Sequence, residues 1–309
     1  MIDPPPLIDR HVHLEGGLDP AWVRSEAALR DVALPASLEA LWRGEAQPFE
    51  AFIEAFLFGA QLLASEAAIT AAVDAIAERT LRAGGGGFDL WCSPSALVSH
   101  WKLLSLEAFW RGLERGLASA RAHGLQACVV VDAVNHFGPE HGHAVLDLIA
   151  GDLPPFVVGF STGGLERVPF RQWAPVFDRA RSLGLRIAAH AGENGDGDQV
   201  REAILEGGVS RIVHGLRSDE ATLELLADRR IPVDICPRSN ALLAADVQPH
   251  PLPRMLASGV RCALGTDDPG VIPCDLATER EAASKLGASE AQLTQMGIFG
   301  AEDAWCLHR

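Results

Sequence analysis

Short apolar runs and longer amphipathic stretches alternate along the whole 309-residue chain. The short runs are rich in β-branched residues. They predict strands over Leu7–Leu14, Phe88–Ser93, Leu125–Asp132, Phe156–Phe160, Leu185–His190, Arg211–His214, Ile231–Cys236 and Val260–Thr266. Between them, apolar residues recur at helical spacing. FEAFIEAFLFGAQLL, from Phe49, is one such stretch; EAAITAAVDAIAERTLRAGG, from Glu66, runs into the glycines expected at a helix C-cap. PEHGHAVLDLIAG opens on Pro139, which suits a first helical turn.

Eight strands, each followed by helix, predict a (β/α)8 TIM-type barrel occupying 1–309 as a single domain. A doubly wound sheet would want a glycine-rich phosphate loop after an early strand. Gly84–Gly87 instead precedes a strand and reads as a tight loop. Roughly 70 residues separate the first two strands, too many for one helix and two loops. The excess predicts a helical insertion at about 37–83, capping the barrel mouth. No internal repeat, low-complexity segment or composition shift marks a domain boundary.

The composition narrows the class. A hydrophobic share of 48% supplies a sizeable core, and no apolar run reaches the length of a membrane span. MIDPPPL lacks the basic and apolar regions of a signal peptide. A net charge of −15 repels a phosphate backbone, which argues against nucleic-acid binding. The six cysteines form no CxxC and fall mostly in strand-like runs, so they read as buried thiols of a cytoplasmic protein.

The histidines and acids carry the chemistry. His11 and His13, two apart near the end of the first strand, point to one side of it. His190 ends the fifth strand, His214 the sixth, and Asp267 and Asp268 the eighth. Each has a bland reading: a strand-end His is commonly structural, and GTDDPG alone is an ordinary turn. In a barrel, however, those strand ends share one face, where barrel enzymes keep their sites. Three imidazoles and a carboxylate suit Zn²⁺ with a position left for water, whose pKa zinc lowers towards neutrality. Glu193, three residues past His190, can shuttle a proton without being a ligand. His214 and Asp268 remain to orient water and substrate.

HVHLEG at 11–16, HAGE at 190–193, HG at 214–215, CPRSN at 236–240, HP at 250–251 and TDDPG at 266–270 resemble, in order, the motifs of the adenosine deaminase family. Similarity in FEAFIEAF and in IFGAEDAWCL extends this over nearly the whole chain. The resemblance implies a hydrolase acting on C–N bonds of cyclic amidines, with one Zn²⁺ per chain held by His11, His13, His190 and Asp267. It implies that Glu193 protonates purine N1, that His214 activates water, and that Asp268 hydrogen-bonds the purine. The stretch Ser161–Glu166 matches the purine-contacting loop, with Gly164 as the contacting residue. Three positions depart from the pattern. Ser161 replaces a usual Asp, the second strand reads FDLWCSP where many members carry an Arg, and Glu15 replaces an Asp that faces the ribose.

Competing readings are weaker. His136, His141 and His143 mimic a second metal cluster, but the last two fall in a predicted helix, where i and i+2 diverge. His13-Leu14-Glu15 mimics the HxE of cytidine-type deaminases, yet Ala277 stands where the second Cys of PCxxC is needed. A two-metal barrel hydrolase needs a strand lysine, and the two lysines, Lys102 and Lys285, lie in no recognised strand. A non-catalytic purine- or zinc-binding protein would not need Glu193. The expected substrate is a small-molecule 6-aminopurine nucleoside, adenosine or a 5′-modified adenosine, with adenine or 6-aminodeoxyfutalosine as alternatives. Glu15 would oppose a 5′-phosphate. Oligomeric state is not legible.

Overall fold

The computed structural model describes residues 6–308; Met1–Pro5, which open the MIDPPPL stretch, and Arg309 lie outside the described residues. The strands β1 (Leu7–His13), β2 (Gly85–Cys92), β3 (Gln126–Val134), β4 (Val157–Gly163), β5 (Arg186–Ala191), β6 (Arg211–His214), β7 (Val233–Ile235) and β8 (Cys262–Leu264) pair in parallel, in sequence order. The ends meet just past β8, where Asp267 bridges to Val12. The result is a nearly closed (β/α)8 barrel. No helix among the described residues is long and apolar enough to cross a membrane.

Strand periodicity sorts side chains into two cores. On β3, Val129 and Val131 join the shell under the outer helices, while Cys128 and Val130 point into the barrel with Trp91, Ala188, Val213 and Trp305. Beside this inner core lies a buried ionic group. Arg211 Nη2 is 2.7 Å from Asp89, and Arg10 is 3.0 Å from Asp234, all four side chains being fully buried. The Trp305 and Cys306 amides donate to the Asp89 carboxylate, so the chain's end is bonded to the same group.

Two expectations change. The glycines read as a loop belong largely to β2, which begins at Gly85. Close packing explains their use: a Cβ on Gly87 would overlap the Gln126 carbonyl oxygen, and one on Gly85 would lie 2.7 Å from Thr80. Gly84 alone makes the turn, at φ +73°. The helical segment after β1 also starts ahead of residue 37. A helix runs over Pro20–Leu29, with the Asp19 carboxylate capping its first amides and Pro20 in its first turn. Helices Ala36–Trp42 and Phe49–Leu62 follow. Helix Glu66–Arg82 then packs on β2 as an ordinary barrel helix.

Candidate active site

A bulge builds the first part of the site. β1 loses register with β2 between Asp9 and Val12, and there the consecutive residues Arg10 and His11 both reach inward, one to Asp234 and one to His190. Bulges re-aim side chains in this way. β8's continuation is bound to the same stretch: the Asp267 amide donates to His11 O at 2.8 Å and the His13 amide to Asp267 O at 2.8 Å. Asp9 secures the approach, its carboxylate accepting from the Thr266 amide and hydroxyl at 3.0 and 2.6 Å. Asp267 and His214 both sit at positive φ, +62° and +67°. Such backbone persists only where surrounding contacts over-determine it.

Four ligand atoms converge. His11 Nε2 is 3.2 Å from His190 Nε2, which is 3.3 Å from His13 Nε2. Asp267 Oδ1 lies 3.3 Å from His11 Nε2 and 3.6 Å from His13 Nε2. Ligands on a tetrahedral zinc at ordinary bond lengths are separated by about 3.3 Å, close to these four distances; among the described residues the groups able to hold an ion are His11, His13 and His190, and His11, His214 and Asp267. Protonation agrees. His190 Nδ1 donates to the Thr162 carbonyl at 2.8 Å, which leaves its Nε2 a bare lone pair facing the cluster. Burial lowers the proton affinity of His11 and His13 to a pKa of about 3. Burial raises that of Asp267, but the His11 hydrogen bond and the neighbouring imidazoles outweigh it and hold the carboxyl well below its ordinary value. Neutral imidazoles facing one carboxylate are a donor set suited to a divalent cation. The Trp91 ring, 4.4 Å from His11, lies under it.

The other expected residues surround this cluster. Glu193 Oε1 is 3.7 Å from His214 Nε2. Burial pushes its carboxyl up to about 7, His214 working against that and Asp267 adding to it. His214 Nδ1 pairs with Asn240 Nδ2 at 3.1 Å, and Asn240 Oδ1 lies 3.4 Å from His250. The CPRSN and HP motifs thus support His214. The Asp268 carboxylate rests on Gly16, where any side chain would overlap it. Burial, then Asp267, Glu15 and Glu193, raise its pKa well above the ordinary range. Glu15 accepts from the Ser93 amide at 2.7 Å, so it turns toward the end of β2. Burial takes it to about 7. Gly164 has no described contact with the four ligand atoms. It lies one residue past Gly163, at φ +80° and against the His136 ring.

Sequence reasoning overlooked Asp132. Its buried carboxylate lies 3.6 Å from His13 Nδ1, and it is the register partner of Ser161. A carboxylate absent from β4 is therefore present next door on β3. Its place at the end of a barrel strand was the available signal. The imitations do not assemble: among the described residues His136, His141 and His143 form no ligand group, and the Phe137 ring contacts both His136 and His141.

The profile of the adenosine deaminase family matches residues 6–309. The chain belongs to the adenosine deaminase family. It is 34% identical over 315 residues to an aminodeoxyfutalosine deaminase of Acidothermus cellulolyticus, covering 96% of this chain and 87% of that one. It is 32% identical over 306 residues to an adenine deaminase of Chelativorans sp., covering 96% and 92%. The crystal structure of an adenine deaminase from Arthrobacter aurescens superposes with a TM-score of 0.88 at 26% identity, over 97% of this chain and 94% of that one. This family member is accordingly a deaminase of adenine-type substrates, a hydrolase acting on C–N bonds of cyclic amidines.

Proposed function

We propose that this deaminase binds one zinc ion through His11, His13, His190 and Asp267 and, with water, converts the 6-amino group of a 6-aminopurine without a 5′-phosphate to a 6-oxo group, releasing ammonia. The observation that carries this reading is the buried Glu193 carboxyl beside the four-ligand cluster. Its pKa of about 7 keeps a proton available at neutral pH. When bound, zinc supplies a Lewis acid that makes water reactive near neutrality. Glu193 delivers its proton to purine N1, which lets the ring accept electrons at C6. Asn240 Nδ2 donates to His214 Nδ1, so His214 presents an Nε2–H towards the cluster and orients the attacking water there. Asp268, whose carboxyl burial and the neighbouring acids push well above its ordinary range, hydrogen-bonds the purine. Buried protein groups in these roles replace solvent around the reacting carbon.

The N9 side is bordered by Glu15. The relatives' names support a range there, from free adenine to adenosine with a 5′ extension. Ammonia release and the ultraviolet change should be measured with adenine, adenosine, aminodeoxyfutalosine and adenosine monophosphate, alongside elemental analysis. One zinc per chain and turnover of at least one of the three compounds without a phosphate are expected. No turnover of any of them by zinc-loaded protein would overturn the reading, and two tightly held metals would overturn the ligand assignment.

A further inference from the structure

The loop after β5, Gly192-Glu193-Asn194-Gly195, wraps a carboxylate that none of the assigned roles uses. Glu166, buried on the loop after β4, accepts from three consecutive amides: Gly192 N at 2.5 Å, Glu193 N at 2.8 Å and Asn194 N at 3.1 Å. The bounding glycines make room for it. Gly192 turns at φ +75°, and a Cβ on Gly195 would lie 2.6 Å from Glu166 Oε2. No described cationic side chain pairs with Glu166; successive backbone amides hold the charge, as in an anion nest. The grip is reciprocal. Asn194 Oδ1 accepts from the Glu166 amide at 2.9 Å, and Asn194 Nδ2 reaches the Gly164 carbonyl at 3.3 Å. The amides before, at and after Glu193 are thus fixed to the loop that carries Gly164.

We infer that Glu166 is a positioning residue: it fixes the backbone from which Glu193 projects and locks that acid to the Gly164 loop, so that both meet the substrate as one unit. The inference rests on the acid role proposed for Glu193. Glu166→Gln keeps the size but loses the charge that binds the amides. Glu166→Asp keeps the charge but withdraws it by one methylene. A displaced acid costs turnover more than binding.

The test is a double-mutant cycle on zinc-loaded protein, with kcat, KM and zinc content measured for Glu166→Gln, Glu193→Gln and the pair. Alone, Glu166→Gln is expected to lower kcat by about ten- to a hundredfold. KM should change by less than about threefold, and zinc content should hold. In the Glu193→Gln background the same substitution should change the residual rate by no more than about twofold, because the group it positions is gone. Equal losses in both backgrounds would reveal a general structural role and overturn the proposal, as would an unchanged kcat in Glu166→Gln. Should Glu166→Gln fail to fold, Glu166→Asp runs the same cycle. Full activity in Glu193→Gln would overturn the acid assignment and this proposal together, whereas equal losses overturn the proposal alone.

Discussion

Glu193 depends on its surroundings in two ways. The nest fixes where it points, and burial beside Asp267 fixes its proton. Replacing it with Gln keeps shape while removing the acid, so kcat should fall by about 10²–10⁴-fold with zinc content unchanged; near-full activity would show that another group protonates the ring. Asp132 acts one step further out, against His13 Nδ1. Groups that orient a metal-bound imidazole are worth about 10–100-fold in metal affinity. Asp132→Ala should weaken zinc binding by that factor in a chelator competition, and equal affinity would mean that His13 is held without it. Glu279 is a buried acid away from the cluster, accepting from the Arg238 amide at 3.0 Å. Burial pushes its pKa from 4.5 up to about 8. Its folded value exceeds its unfolded one, so its contribution to stability is full below the unfolded pKa and is lost as pH rises through about 8. Glu279→Gln keeps an oxygen for the Arg238 amide and cannot ionise. Urea midpoints of this variant should fall less between about pH 6 and pH 9 than those of wild type. Parallel profiles would assign the slope elsewhere.

At the scale of elements, what the chain discloses follows period and position. The alternation of β3 and the runs around β5 and β6 are set by burial on both faces, so strand identity was legible. His190, His214 and Asp267 were legible as a group because strand ends of a barrel open on one face. The β1 bulge was not, since it depends on how β1 meets β2 rather than on the order of its residues. Glu166 was hidden for a similar reason: its partners are backbone amides on another loop, and amides leave no mark in a sequence. The glycine run misled because a glycine can serve a turn or a close strand contact equally well. That contact is testable. Gly87→Ala sets a methyl group against the Gln126 carbonyl of β3, where backbone has little freedom to yield. Overpacking of this kind costs about 1–3 kcal/mol or more. A matching drop in unfolding free energy is expected, and an unchanged midpoint would show that β2 and β3 can separate.

Across the whole molecule, charge and architecture select the substrate together. The chain carries −15 overall, and the site concentrates acids: Glu15, Asp132, Glu193, Asp267 and Asp268 are all buried around one cluster. Burial first, and neighbouring acids after it for three of them, push four of these carboxyls above their ordinary range, to about 7 for Glu15 and Glu193. An uncharged purine ring would leave that balance undisturbed and would offer ring nitrogens to these acids. A 5′-phosphate on the N9 side would meet Glu15, and neither lysine of the chain lies in the site: Lys285 pairs with Glu281, and Lys102 is exposed. Taking a phosphate out of water with no cation to pair it costs several kcal/mol, or at least about a hundredfold in kcat/KM. Adenosine monophosphate should therefore trail the better of adenine and adenosine by that factor. The gap should persist in about 0.5 M salt, since buried charges are screened far less than surface ones. A gap that closes with salt would place the repulsion on the outer surface. A preference for the monophosphate would mean that Glu15 does not face the N9 substituent.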